Sequence, residues 1–347
     1  MPYTVTIQSS GHRFSVDENE SVLDAALRQG VILPYGCRNG ACGSCMGTLA
    51  TGTVGYPDGP PPALNETDRA THRALFCQAR PASDLEIVVR EVDAARDIEV
   101  KTLPCRVQKL EHLAHDVIRI YLKLPATERM QFLAGQYIDV LIKDHEPRAF
   151  SIANAPHDDE FVELHIRFVE GGLFTDQVFH SMKEKAMWRI RGPLGTFFLR
   201  EDSDRPAILI GGGTGFAPIK GILEHAFETG IDKPMHLFWG VRAVRDLYLD
   251  VLPQQWLREH PNFSYTPVLS DPMAEDEWTG ETGLVTDAVV KQYPDLSEHD
   301  IYMSGPPVMV HAGHSLFMQH ELDASRFFSD AFEYAAMAES IKGLKRD

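Results

Sequence analysis

The stretch "YGCRNGACGSC", residues 35–45, sets Cys37, Cys42 and Cys45 at C-x4-C-x2-C, and Cys77 follows after 31 intervening residues. The chain has five cysteines, so four of them belong to one pattern. Clustered thiols serve a disulfide, a zinc site, a thiol–disulfide redox pair or an iron–sulfur cluster. Zinc favours two separated C-x2-C knuckles, and the chain has one. A redox pair at Cys42 and Cys45 calls for a βαβ setting, which the surrounding pattern lacks. A disulfide is disfavoured where thiols are kept reduced. Three close cysteines and a remote fourth is the spacing of a [2Fe–2S] loop. Gly36, Gly40 and Gly43 suit such a loop, because glycine allows close approach of backbone N–H groups to an anionic cluster and permits positive φ. Cys105 lies outside the pattern and reads as a small buried hydrophobe.

Four further stretches carry chemistry. "RAFS", 148–151, puts a cation, a flat ring and a hydroxyl within four residues. "GGLFT", 171–175, is a glycine turn opening a helix, whose free N–H groups suit a phosphate. "ILIGGGTGFAPI", 208–219, is a strand, a glycine loop and a helix with Pro218 in its first turn. It fails the dinucleotide fingerprint G-x-G-x-x-G, because Phe216 stands at the third glycine position and no acid closes the next strand, "MHLFWGVRAVRD". "YMSGPPVMV", 302–310, ends a strand in a Gly-Pro-Pro turn. His311 and His314 share a helix face without a third ligand in the pattern, which reads as an ordinary helix surface. No nucleophile motif of the G-x-S-x-G kind is present.

Elements must hold these residues, and their periodicity is legible. "YTVTI" and "HRFSV" alternate around a short turn, as a hairpin does, and "SVLDAALRQG" reads as a helix with Ser21 as N-cap and Gly30 past its end. A strand near 47–56, a short helix near 65–71 and the strand "LEIVVREV" complete a small α+β domain over 1–92. Residues 93–102 are charged and poor in bulky apolar side chains, as a linker is. Short alternating strands over 103–203, with one helix near 174–184, predict an antiparallel β-barrel. Apolar strands alternating with helices over 204–338 predict a parallel-sheet α/β domain, with 339–347 as a tail.

The chain of 347 residues is long enough for two or three such domains. Its formal charge of −17 argues against nucleic acid and anionic membranes and suits a basic protein partner. No apolar run approaches the roughly 20 residues needed to span a bilayer. The opening lacks the basic and apolar regions of a signal peptide, so a soluble, cytoplasmic protein is expected.

The cysteine loop resembles that of plant-type ferredoxins. With the stretches at 148–151, 171–175, 208–219 and 302–310, and with "GPLGTFFL" at 192–199, the chain from about 3 to 335 is similar to a family of iron–sulfur flavoprotein reductases. These fuse a ferredoxin domain to a ferredoxin–NADP reductase-like module. The resemblance implies a β-grasp ferredoxin domain, a barrel for FAD and an α/β domain for NAD(P)H. It assigns the cluster to Cys37, Cys42, Cys45 and Cys77. It implies that Arg148 pairs with the FAD pyrophosphate, that Phe150, where the family more often has Tyr, packs on the isoalloxazine, and that Ser151 bonds near flavin N5.

By the same resemblance Gly172, Leu173, Phe174 and Thr175 offer N–H groups to the pyrophosphate. Gly212, Gly213, Thr214, Gly215 and Pro218 form the loop that takes the nicotinamide nucleotide across the strand ends. Gly305 and Pro306 close over the nicotinamide, and Ser304 replaces a usual Cys, so Ser151 and Ser304 are the catalytic candidates. Asp330 and Phe332 of "RFFSDAFEY" are expected near the flavin. The "WG-x-R-x-x-x-DLY" run at 239–248 favours NADH, although Arg242 and Arg245 equally suit a 2′-phosphate.

The activity implied is electron transfer from NAD(P)H through FAD and the [2Fe–2S] centre to an acceptor protein. The look is nearest the branch named CDP-6-deoxy-Δ3,4-glucoseen reductase, whose partner is a sugar dehydratase using pyridoxamine phosphate. Reductase components of ring-hydroxylating or di-iron oxygenases are the alternative. A non-catalytic redox sensor and a free-flavin reductase are further readings.

Overall fold

The structure, a computed structural model, describes residues 2–143 and 145–332. By internal packing the chain divides into two compact units, Met1–Ile98 and Glu99–Asp347.

In the first unit β1 (Tyr3–Ile7) and β2 (Arg13–Val16) form the expected antiparallel hairpin. α1 (Val22–Arg28) starts where the Ser21 hydroxyl accepts from the Asp24 N–H at 3.1 Å, and Gly30 lies just beyond its end. The single strand expected near 47–56 is two, β3 (Met46–Thr51) and β4 (Val54–Gly55), because Gly52 at φ +89° breaks the run. α2 (Glu66–Ala70) carries a capping box between Asn65 and Asp68. β5 (Arg73–Leu75), β6 (Arg80–Pro81) and β7 (Leu85–Val88) follow. The main sheet runs β2-β1-β7-β3-β5, with β1 parallel to β7 and β3 antiparallel to it. Val22, Leu23, Ala25 and Ala26 of α1 share one core with Val5, Ile7 and Ile87 of the sheet, the β-grasp arrangement.

The second unit opens with β8 (Lys101–Ala114), a single long strand whose register shifts twice, rather than a short one. β9 (Val117–Lys123), β10 (Tyr137–Val140), β11 (Arg148–Ser151), β12 (Val162–Arg167), α3 (Leu173–His180) and β13 (Met187–Leu194) follow. α3 stops four residues short of the expected 184. The sheet order is β11-β10-β13-β8-β9-β12, antiparallel throughout. Its edges meet again at the bridge between Ile152 and Leu164, where Ala153 N–H donates to the Glu163 carbonyl at 2.8 Å, so the sheet closes into a barrel. Cys105 is buried in the barrel core, and burial pushes its thiol up to about 12. Val162, Leu164 and Ile166 of β12 face that core, so Glu163, His165 and Arg167 alternate onto the opposite face.

The same unit continues with β14 (Ala207–Gly212), α4 (Phe216–Glu228), β15 (Met235–Val241), α5 (Val251–Glu259), β16 (Phe263–Leu269) and β17 (Glu281–Thr282). It ends in α6 (Val285–Gln292), β18 (Asp300–Gly305), α7 (Pro307–Met318) and β19 (Phe327–Ala331). The order β17-β16-β15-β14-β18-β19 is parallel at every pair. Every residue of β14 and β18 is buried, as helices on both faces of a parallel sheet require. Among the described residues no helix is long and apolar enough to cross a membrane.

Candidate functional site

The four cysteines of the first pattern come together in the β-grasp unit. Cys42 N–H points at Cys37 Sγ (3.3 Å), Ser44 N–H at Cys42 Sγ (3.4 Å) and Cys77 N–H at Cys45 Sγ (3.5 Å), so backbone donors already face the sulfurs. The thiols associate as two pairs, Cys37 with Cys42 and Cys45 with Cys77. Among the described residues no three of these sulfurs lie within 4.8 Å of one another. A mononuclear tetrahedral S4 site, with metal–sulfur bonds of about 2.3 Å, would hold all four about 3.8 Å apart. Two pairs fit a binuclear centre.

The charges agree. The hydrogen bond from Cys37 holds Cys42 down at about 6, whereas the bond to Cys42 and burial push Cys37 well up, and the bond to Cys77 and burial do the same for Cys45. Gly40 and Gly43 take φ +84° and +81°, as expected; Gly36 does not, and Arg38 does, at +60°.

On β11, Arg148 donates to the Glu146 and Pro147 carbonyls at 3.0 and 3.3 Å, and no carboxylate among the described residues pairs with it. Phe150 is half-buried against Phe174, with ring centroids 5.5 Å apart, and Phe174 packs in turn on Trp188. Gly172 is the N-cap of α3, Leu173 stands 74% exposed beside it, and the Thr175 hydroxyl is engaged with the turn itself, bonded to Val169 and Gly172. An uncommitted cation, an accessible ring and a helix N-terminus are a donor set that fits a flavin diphosphate.

Gly212 ends β14, Gly213 turns at φ +55°, and Thr214 and Gly215 lead into α4, where Pro218 occupies the first turn. Phe216, at the missing third glycine, is fully buried and stacks on Trp239 at 4.1 Å, while Trp239 Nε1 donates to the Gly213 carbonyl at 2.9 Å. A side chain is needed there to anchor the loop from below. Across the sheet, Ser304 of β18 lies between Gly211 of β14 and Asp330 of β19 in register. Its hydroxyl is buried without a hydrogen-bond partner, an arrangement that fits a group bound above the strand ends. Gly305 and Pro306 follow, and Phe332 N–H donates to the Gly305 carbonyl at 3.2 Å. The rest of the aromatic segment, Glu333 and Tyr334, lies outside the described residues.

These motifs converge. Ser151 Oγ donates to Asp330 Oδ2 at 2.9 Å, joining residues 179 apart in sequence. The end of β11 and the ends of β18 and β19 therefore meet beside Ser304.

The sequence reading missed one polar cluster. Glu163 and His165 are both 5% exposed, as is Lys220 of α4. Burial alone would raise the Glu163 carboxyl, but the His165 bond (2.8 Å) and the charges of Lys220 and Arg119 overcome it and hold it below the usual carboxylate range. Burial also lowers His165. The neutral ring donates to Glu163 from Nε2 and accepts from the Tyr248 hydroxyl at Nδ1, 3.1 Å away. The alternation of "VELHIR" marks a strand, and periodicity cannot distinguish water from a polar neighbour on its second face. His115, Asp116 and Asp246 also approach one another, but Arg167, 3.0 Å from Asp116, already supplies a cation. His311 and His314 gain no third ligand among the described residues.

Three family models match the chain in order: a 2Fe-2S iron-sulfur cluster binding domain over 5–82, an oxidoreductase FAD-binding domain over 104–199 and an oxidoreductase NAD-binding domain over 209–314. The CDP-6-deoxy-L-threo-D-glycero-4-hexulose-3-dehydrase reductase of Yersinia pestis is 38% identical over 332 residues, 96% of this chain and 99% of that protein. The phenol 2-monooxygenase reductase component DmpP of a Pseudomonas species is 34% identical over 341 residues, 97% of this chain and 96% of that one. A solved ferredoxin reductase in carbazole 1,9a-dioxygenase superposes with a TM-score of 0.68 at 28% identity, covering 96% of this chain and 99% of that one. Matched from end to end by reductases, and carrying the three domains in their order, this chain belongs to the iron–sulfur flavoprotein reductases, NAD(P)H-dependent oxidoreductases built from [2Fe–2S], FAD and NAD domains.

Proposed function

We propose that this reductase takes hydride from NADH at Ser151, Asp330 and Ser304 and delivers electrons singly, through Cys37, Cys42, Cys45 and Cys77, to an acceptor protein in the cytoplasm. The observation that carries this reading is the Ser151–Asp330 bond, since hydride transfer needs flavin and nicotinamide motifs at one place. An FAD held there would supply the exchange between two-electron hydride chemistry and one-electron transfer. Arg148 and the α3 turn hold its diphosphate, and Phe150 packs on the ring. The loop 212–215 holds the dinucleotide phosphates, with Gly305, Pro306 and Phe332 bordering the nicotinamide. Ser151 keeps its proton directed at Asp330, and the spare Ser304 hydroxyl finds its acceptor in the ligand.

The sugar-dehydrase relative shares 38% identity and the phenol hydroxylase P5 protein of Acinetobacter pittii 37%, so identity does not separate the two acceptor classes; a pyridoxamine-phosphate-dependent sugar dehydratase is the first acceptor to test and an oxygenase component the second. Residues 1–98 hold 12 acidic and 8 basic residues, so most of the acid excess lies outside the cluster unit. A basic docking face on the acceptor is correspondingly less favoured than the total charge suggests.

Purified protein should be brown-yellow, contain acid-labile sulfide and FAD, and reduce cytochrome c catalytically with NADH. Zinc without sulfide, or tight FAD with no turnover, overturns the reading and favours a sensor.

Arg148→Ala should strip FAD on dialysis, because it removes a charge-assisted bond worth about 1.5–3 kcal/mol. Stoichiometric FAD after dialysis would move the diphosphate elsewhere. Ser304→Ala removes a buried hydroxyl without a partner, so the unliganded protein should melt no lower than the unsubstituted one, while NADH reduces its flavin more slowly. A lower melting temperature with an unchanged rate would make Ser304 structural only.

A further inference from the structure

We propose that Lys220 is a positioning residue for hydride transfer, its buried ammonium tying the helix behind the glycine loop to the point where the flavin strand closes the barrel. The proposal rests on the function just given. α4 begins directly after Gly213–Gly215, so a shift of the helix carries the loop with it. An ammonium has three hydrogens, and Lys220 Nζ has three acceptors: the Ala153 carbonyl at 3.1 Å, Glu163 Oε2 at 3.3 Å and Glu224 Oε2 at 2.9 Å. Ala153 and Glu163 are the two residues hydrogen-bonded across the barrel closure, and Ala153 stands two residues beyond Ser151. Next to Lys220, Gly221 lies so close that a Cβ would come 2.9 Å from the Asn154 carbonyl oxygen.

Helix and strand thus touch nearly backbone to backbone, a contact that apolar packing alone would leave free to slide. A buried ion pair adds little stability over an apolar pair of the same volume, but its directional bonds fix one register. One more tie runs from the same face of β12, His165 to Tyr248, and the Arg167 guanidinium lies against Gly213, 2.6 Å from where a Cβ would stand. The glycine loop is therefore set against the barrel by one strand that also closes it.

Lys220→Met keeps an unbranched stem of nearly the same length and removes the ammonium. Anaerobic stopped-flow mixing with saturating NADH should show flavin reduction slowed about tenfold or more, the order of loss that misplacement at a reacting centre produces. FAD content and the cluster spectrum should stay as in the unsubstituted protein. The long-wavelength absorbance of NAD+ stacked on reduced flavin should weaken in parallel, which a merely structural role would not cause. Glu224→Gln alters a partner on α4 itself, leaves the tie to the barrel, and should keep the rate.

If Lys220→Met does not fold, the double variant Glu163→Gln/Lys220→Met removes both charges of the most deeply buried pair and carries the measurement. Failure of both to fold assigns the pair to folding and overturns the proposal. An unchanged rate with an unweakened band in a folded variant overturns it equally. If the unsubstituted protein transfers no hydride from NADH to flavin, the underlying function falls first, and that result is distinct from either.

Discussion

In a Cys42→Ser protein, electron delivery to one-electron protein acceptors falls to background while NADH bleaches the flavin at the unsubstituted rate. Cys42 is buried, and of the thiols in its loop it is the one held lowest, at about 6, by its bond from Cys37. A serine hydroxyl ionises far less readily and is a harder ligand than thiolate, so the loop loses the sulfur on which its first pair depends. The flavin and nicotinamide motifs belong to the other compact unit, Glu99–Asp347, with its own two cores. The check is cytochrome c reduction beside single-turnover flavin bleaching, with iron and labile sulfide measured on the same sample. Loss of flavin bleaching in a folded, FAD-loaded variant would show that the two halves do not work as separate carriers.

Gly215→Ala should cost NADH-dependent flavin reduction about a hundredfold, with FAD retained and dithionite reduction intact. A Cβ on Gly215 would come 2.0 Å from the Ser304 carbonyl oxygen and 2.5 Å from its carbon. Both are backbone atoms of a central strand, so no rotamer change relieves the clash. The glycine loop and the end of β18 must move apart, and these are the two stretches proposed to clasp the nicotinamide nucleotide. Gly55→Ala is the control: its position meets nothing within 4 Å, so rate and stability should hold. Unchanged NADH kinetics in Gly215→Ala would remove the loop from the site.

Local rules made much of this legible. Ser21 and Gly30 marked the ends of α1, and the alternation "YTVTI" and "HRFSV" marked a hairpin, because caps and pleats are set by residues within a few positions. Cysteine spacing works in the same way, since ligands of one loop must lie close in sequence. What stayed hidden depends on distant partners. The resemblance put Ser151 and Asp330 near one flavin, but no local pattern shows the bond between them. Lys220, in the otherwise apolar "FAPIKGIL", gains meaning only from Glu163 and Ala153. Even within the cluster loop, which residue turned through positive φ was misjudged. Arg38 does so, its carbonyl accepting from the Gln78 side chain at 2.8 Å, while Gly36 does not.

The 179-residue separation of Ser151 and Asp330 also sets a clock on biosynthesis. A ribosome adding about 5–20 residues per second emits the flavin strand about 10–40 s before its partner. The barrel can close meanwhile, because Ile152 and Leu164 are near neighbours in the chain. The serine hydroxyl at its mouth waits in water until β19 emerges and lies down beside β18. Nascent chains stalled before residue 330 should therefore carry a folded barrel that holds flavin without being able to use NADH. On that order of emergence, cofactor capture would precede competence.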